Sequence, residues 1–304
     1  MYPPLLSRCP VDYLKPEAVS RLSRLDLIAR LVVEGFITGL HQSPYHGFSV
    51  EFSEYRQYMP GDPMRDIDWK VYAKTDRLYV KEYEEETNLK ATLLLDVSAS
   101  MNYGSGDVTK FQYATWLAAA LSHLMLRQRD AVGLGAFDDG LRHYLPPKSV
   151  GSYLHAILSA LENATPDGPN TSVADTFHEL AERLHRRGLI IVLSDLLDEP
   201  DAVLSALKHF RHRKHEVIVF HILDPRERDL NFDSETRFVD LETGSSVATE
   251  PWHVAPHYRT AMENWIQQVR RGCRESLIDY VAIDTTEPFD TALFNYLSKR
   301  KRLV

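Results

Sequence analysis

The sequence predicts an α/β fold: a doubly wound, mostly parallel sheet flanked by helices, with a small helix-plus-strand module ahead of it. Three observations predict it. Short unbroken runs of Val, Ile and Leu recur through the second half, as in ATLLLD at 91–96, LIIVLSD at 189–195 and EVIVFHIL at 216–223. Amphipathic segments of helical period separate the runs. Two of the runs end in an acid at the same relative place, Asp96 and Asp195. Apolar runs without polar alternation belong to strands buried on both faces, and strand-helix alternation builds a parallel sheet with helices on either side.

The elements follow in chain order. Leu22, Leu25, Leu27, Ile28, Leu31, Val32 and Phe36 recur at helical spacing between Pro16 and Gly39, with Pro16 suited to a first turn and Gly35 or Gly39 to a terminus. Phe48 to Tyr58 alternates in polarity, a turn follows at Pro60-Gly61-Asp62-Pro63, and Arg77 to Tyr83 alternates again. This stretch, residues 1–88, is expected to be the front module. The main domain, residues 89–304, opens with the strand Ala91–Asp96 and the helix Lys110–Gln128. The expected strand Ala131–Phe137 precedes two helices, Val150–Asn163 and Ser172–Arg187. Then come the strand Leu189–Asp195, the helix Asp198–His212 and the strand Glu216–Leu223. A loop-rich excursion leads to the helix Ala255–Arg271, the strand Leu277–Ile283 and a last helix, Pro288–Arg302. Phe111, Trp116, Leu117, Leu121 and Leu124 read as ordinary helix core. The result is a Rossmann-like sheet.

Composition narrows the function. The 304 residues carry 43 acidic and 35 basic side chains, a formal net charge of -8, so the protein as a whole is not expected to bind polyanions such as nucleic acid, which leaves room for a local basic patch. Cys9 and Cys273 make neither a disulfide framework nor a thiolate zinc site, and a reducing cytosol is the expected compartment. The N-terminus lacks a basic region followed by an apolar one, so no signal peptide is expected. The most apolar stretch, Ala114 to Leu126, is interrupted by Ser122 and His123 and is too short for a membrane span of about 20 residues. We expect a soluble, cytoplasmic protein.

Ligands of doubly wound sheets bind outside the carboxyl ends of the strands. Asp96-Val97-Ser98-Ala99-Ser100-Met101 and Ser194-Asp195 fall there, and Asp167-Gly168-Pro169-Asn170-Thr171 is a third polar loop before a helix. Two carboxylates converging on one rim repel, and one takes up a proton unless a cation separates them. Hard oxygen donors select magnesium, with manganese or calcium as alternatives, over zinc. Two carboxylates balance the ion's charge, and a set of hydroxyls and two acids leaves it a coordination position for an incoming acid.

These residues carry a resemblance. Asp96-x-Ser98-x-Ser100 after an apolar strand, Thr171 before a helix and Asp195 after a later strand resemble the metal-ion-dependent adhesion site of von Willebrand factor A domains. The resemblance implies Ser98, Ser100 and Thr171 as inner ligands of magnesium. Asp96 and Asp195 would act directly or through water, with a partner's carboxylate completing the shell. The front region is similar to the signature of the bacterial domain-of-unknown-function-58 family. Its residues are Tyr55-Arg56-Gln57-Tyr58-Met59-Pro60-Gly61-Asp62, then Arg65-Asp66-Ile67-Asp68-Trp69-Lys70, then Ala73-Lys74. Lys74 departs from the arginine more usual there, which weakens any bidentate contact. Many members carry N-terminal membrane helices, and none is expected from this sequence. The family implies a partner ATPase of the MoxR-type AAA+ class and a role in maturing or remodelling a client protein. Arg56, Gly61, Asp62, Arg65, Asp68 and Trp69 are then either a lock between the two parts of the chain or a partner-binding surface.

Other readings carry less. An aspartyl-phosphate phosphatase needs a second Asp two residues after Asp96, where Ser98 stands. Ser98 lacks the G-x-S-x-G flanks of a hydrolase nucleophile. Asp66, Asp68 and Lys70 resemble a metal nuclease only loosely, without a basic groove. His178 with His185 and His209 with His212 read as solvated helix histidines. Glu84-Glu85-Glu86 reads as an acidic turn, or less readily as a docking site for a basic partner. The basic runs at 211–214 and 299–302 complement helix C-termini. No phosphate-binding Gly-rich loop occurs, so ATP hydrolysis would belong to a partner. The expectation is a magnesium-dependent protein-binding adaptor and not an enzyme. The alternatives are a structural scaffold with a vestigial metal site and a metal-dependent hydrolase.

Overall fold

In the computed structural model of the chain the described residues are 15–42, 55–57, 72, 79–81, 89–167, 173–184, 186–232, 234–241 and 244–303. Helices α1 (Pro16–Val19) and α2 (Leu25–Gln42) precede a short antiparallel pair, β1 (Tyr55–Gln57) and β2 (Tyr79–Lys81). Then come β3 (Lys90–Asp96), a 3-10 turn at Ala99–Asn102, α3 (Lys110–Arg127), β4 (Ala131–Phe137), β5 (Leu141–Lys148), α4 (Tyr153–Glu162), α5 (Val173–Arg183) and β6 (Leu189–Ser194). The rest is α6 (Pro200–His212), β7 (Glu216–Leu223), α7 (Pro225–Asp229), β8 (Thr236–Val239), β9 (Ser246–Thr249), α8 (Pro251–Glu275), β10 (Asp279–Asp284) and α9 (Asp290–Leu303).

Six strands form the central sheet in the order β10-β7-β6-β3-β4-β5. The first five run parallel, and β5 closes the edge antiparallel to β4. Side chains of a strand alternate between its two faces, and here both faces are covered. Leu93, Leu95, Ile191 and Phe220 pack with Leu117 and Leu121 of α3, Ile157 of α4 and Leu293 of α9. Leu94, Ile190, Val192 and Val219 pack with Phe177 of α5, Leu207 and Phe210 of α6, and Val269 of α8. Helix α3 starts sharply because Thr109 and Gln112 cap it reciprocally, each side chain bonding the other's backbone N–H at 3.1 and 3.0 Å. At the far end Asp130, buried, accepts Arg300 Nε at 2.6 Å and the Tyr296 hydroxyl at 3.0 Å, tying α9 to the turn before β4.

The α/β class and the parallel order match the sequence expectation. Several elements differ from it. The first helix is split at Ser20–Arg24, and Ile28, Val32 and Phe36 of α2 are buried in the same core as α3 and β3. The core therefore crosses the boundary expected at residue 88. Strand β5 escaped the reading because Pro146 and Pro147 lie in it; an edge strand tolerates proline, since one side of it makes no ladder bonds. The loop-rich excursion holds α7 and the hairpin β8–β9, whose residues are mostly exposed and show no core period. Helix α8 begins at Pro251 and continues through Pro256, four residues before the expected Ala255 start.

Candidate metal site at the carboxyl rim of the sheet

Each of the five parallel strands ends in, or is followed at once by, an aspartate: Asp96, Asp138, Asp195, Asp224 and Asp284. Four of them meet partners within the protein. Asp138 meets Arg142 at 2.5 Å, and Asp284 meets Arg228 at 2.8 Å. Asp224 caps α7, accepting the N–H groups of Arg226 and Ser105, each at 2.8 Å. Asp195 holds Lys110, Nζ to Oδ2 at 2.7 Å. Asp96 differs. Its Oδ1 accepts the Ser98 N–H at 2.9 Å and its Oδ2 the Ser194 hydroxyl at 2.5 Å, and no cation is paired with it among the described residues.

Asp96 is fully buried, and burial together with the charge of Asp195 pushes its carboxyl up to about 7, against the lowering effect of the Ser194 and Ser98 hydrogen bonds. The Ser98 and Ser100 hydroxyls face each other at 3.0 Å, Ser98 buried and Ser100 half-buried. The chain is held there by short local bonds. Val97 N–H donates to Phe137 O at 2.8 Å, and Met101 N–H to Ser98 O at 3.2 Å. Ser194 is a two-way relay, accepting from Leu196 N–H at 2.9 Å while donating to Asp96. Leu196 sits at φ 52, a left-handed conformation uncommon for leucine, immediately after Asp195.

Asp195 is fixed from two sides. His221 Nε2 donates to its backbone carbonyl at 2.8 Å, while the Tyr280 hydroxyl donates to His221 Nδ1 at 2.5 Å. Burial holds His221 down at about 4, so the ring is neutral. Lys110, fully buried, donates to Asp195 and to both Glu227 oxygens at 2.8 Å. Burial pulls Lys110 down, but Asp195 and Glu227 more than reverse it, holding the ammonium above the ordinary lysine range. Burial raises Glu227, with Lys110 acting against it.

Of the sequence-derived ligands, Asp96, Ser98, Ser100 and Asp195 stand together on adjacent strand ends. Thr171 lies outside the described residues, as do Gly61, Asp62, Arg65, Asp68, Trp69, Lys74 and Glu84-Glu85-Glu86. Arg56 is described only as backbone, paired with Val80. Sequence reasoning missed Lys110, His221 and Glu227, and placed Ser194 at the rim without giving it a role. A signal for Lys110 existed: a cation at the first position of a helix opposes the helix dipole, and such a local conflict marks a residue held for another reason. The histidines also differ from expectation. His178 meets His209 across α5 and α6, Nδ1 to Nδ1 at 3.1 Å, and does not act as a lone solvated ring.

Hydroxyl and carboxylate oxygens are the donors that a small hard cation takes. Neighbouring oxygens around octahedral magnesium lie about 3.0 Å apart at bond lengths of about 2.1 Å, and the two serine hydroxyls have that separation. Among the described residues no group of three or more His, Cys, Asp or Glu forms a cage. An ion here would rest on hydroxyls, with Asp96 and Asp195, whose oxygens already accept protein donors, reaching it through water.

Sheet order, two-sided burial and acid-rich carboxyl rim define an α/β protein with a doubly wound, mostly parallel sheet. The chain belongs to the family described as "Protein of unknown function DUF58", whose model matches residues 54–270. It is 27% identical over 246 residues to the uncharacterized protein Rv1480 of Mycobacterium tuberculosis (strain ATCC 25618 / H37Rv), covering 80% of this chain and 76% of that one. The uncharacterized protein Mb1516 of Mycobacterium bovis matches to the same extent. Among solved structures, BatB from Bacteroides thetaiotaomicron is similar with a TM-score of 0.51 at 18% identity, covering 70% of this chain and 99% of that one. The SpRpn10 VWA domain is similar with a TM-score of 0.40 at 16% identity, covering 68% and 95%. Among the described residues no helix is long and apolar enough to cross a membrane.

Proposed function

We propose that the protein is a magnesium-dependent protein-binding adaptor, in which Ser98, Ser100 and Thr171 hold the ion, Asp96 and Asp195 balance its charge, and a partner's Asp or Glu completes the shell. The observation that carries this reading is Asp96, a buried carboxyl beside a second carboxylate and next to a hydroxyl pair, with no cation paired to it among the described residues. A dication relieves that repulsion and still leaves room for an acid from outside. The role is non-catalytic. Its suggested setting is work with a MoxR-type AAA+ ATPase on a client protein, which rests on the family resemblance.

The test is calorimetry of magnesium binding to the wild type and to Asp96→Ala, followed by capture of the ATPase with and without EDTA. Binding lost in the variant, and capture weakened by EDTA, support the adaptor. Equal magnesium affinity in both proteins refutes the site. A second reading has its own observation. Lys110 already neutralises Asp195, which is what a metal-free structural scaffold would need; partner capture indifferent to EDTA would favour it.

A further inference from the structure

At the opposite pole, where the strands begin, lies a cavity of about 340 Å³ between β5, the starts of β3 and β6, and the end of α5. Its lining has a charge composition unlike the rest of the chain. Lys90, Arg183, Arg186 and His215 contribute to it and, among the described residues, no Asp or Glu does, although the chain carries 43 acids against 35 bases. Arg183 pairs with Glu179 on its own helix at 2.8 Å. No ion pair joins Lys90 or Arg186 to a carboxylate among the described residues. His215 is buried. Its Nε2 donates to Leu184 O at 2.9 Å, and its Nδ1 is buried without a partner. Thr92, Tyr144, Pro146 and Pro147 also line it.

Cations gathered at one cavity, with no acid among its described lining residues, give a local positive potential on a chain that is acidic overall. Arginine and lysine are the side chains that recognise phosphoryl oxygens. We propose that this cavity binds a phosphate-bearing small molecule, with the phosphoryl group on Lys90, Arg183 and Arg186. The remainder of the ligand lies against Tyr144 and the two prolines. The site is independent of the carboxyl rim and of any metal there.

The test uses the full chain in EDTA-containing buffer, with inorganic phosphate and AMP as probes and sodium chloride matched for ionic strength. Phosphate is expected to raise the melting temperature over matched chloride. The double variant Lys90→Met/Arg186→Met, at two exposed positions, is expected to lose that shift and at least tenfold in affinity by calorimetry. AMP tighter than phosphate, with the difference removed by Tyr144→Ala, identifies an organic phosphate; equal affinity identifies the free anion. No shift with either probe at millimolar concentration overturns the proposal, and so does a shift that survives in the double variant.

Discussion

Lys110→Met should be among the most damaging single changes at the rim. Lys110 is fully buried and makes three charged contacts, one of 2.7 Å to Asp195 and two of 2.8 Å to Glu227. Methionine fills a similar volume but leaves both carboxylates without their cation. Removing one partner of a buried ion pair costs about 3–5 kcal/mol, most of it the penalty on the charge left behind. For a domain of this size, that amounts to a fall of roughly 6–20 °C in melting temperature at about 2–4 °C per kcal/mol. Urea unfolding at pH 7.5 followed by far-UV circular dichroism measures it. The sign with pH is fixed: burial already raises Glu227 while Lys110 opposes it. Without the lysine the folded-state value rises further above the unfolded one, so the variant is least impaired below about pH 4 and loses stability as pH rises through the carboxyl's folded value. Adding Glu227→Gln should recover a large part of the loss, because it removes one uncompensated charge. A loss under about 1 kcal/mol, or no recovery in the double variant, would refute the view that Lys110 neutralises this cluster.

Three further outcomes follow from the packing. Burial pushes the Cys273 thiol up to about 12, so in a Cys9→Ser background iodoacetamide at pH 8 should modify it only as fast as the protein opens, and at once in denaturant. Gly188→Ala should cost more than about 1–3 kcal/mol, because its Cβ would stand 2.4 Å from the Lys90 carbonyl oxygen; Gly272→Ala should cost less, since there the obstacle is the movable side chain of Leu204. Urea midpoints of the two variants compare them directly. Burial works to raise Glu216, but hydrogen bonds from Arg211 and Lys299 hold it below the ordinary carboxyl range, so its contribution is present above about pH 4.5 and is lost as pH falls through its folded value. Glu216→Gln should flatten the acid limb of the stability curve, and an unchanged limb would show that the pair contributes nothing there.

The central fold was legible because burial on both faces writes itself into the strands. Leu93, Leu94 and Leu95 point alternately into two cores, so all three must be apolar, and the run ATLLLD leaves no other reading. The hairpin of β8 and β9 was not legible for the opposite reason. Val239 and Val247 are exposed there, so the pairing rests on backbone bonds that any sequence can make. The edge strand β5 was hidden by its prolines, and the early start of α8 by Pro256, where a local rule argued against an element that tertiary packing supports.

The rim shows where local reading stops. Asp96, Ser98 and Ser100 are neighbours in the chain, and Asp195 ends a recognisable strand, so their convergence follows from topology alone. Lys110 and Glu227 are 117 residues apart and meet only because α3 and α7 both start at the carboxyl side of the sheet. Their meeting alters the charge arithmetic of the site. Asp96, Asp195 and Glu227 bring three acids and Lys110 one base, and the ammonium lies on Asp195 and Glu227, away from Asp96. An external dication would then meet the two negative charges that Lys110 leaves unbalanced. It would leave the loaded rim neutral within this group, so a partner's acid would meet a metal whose charge the protein has already balanced. Its attraction to the site would then come from coordination at the ion more than from long-range field, and salt should weaken the complex far less than chelation does.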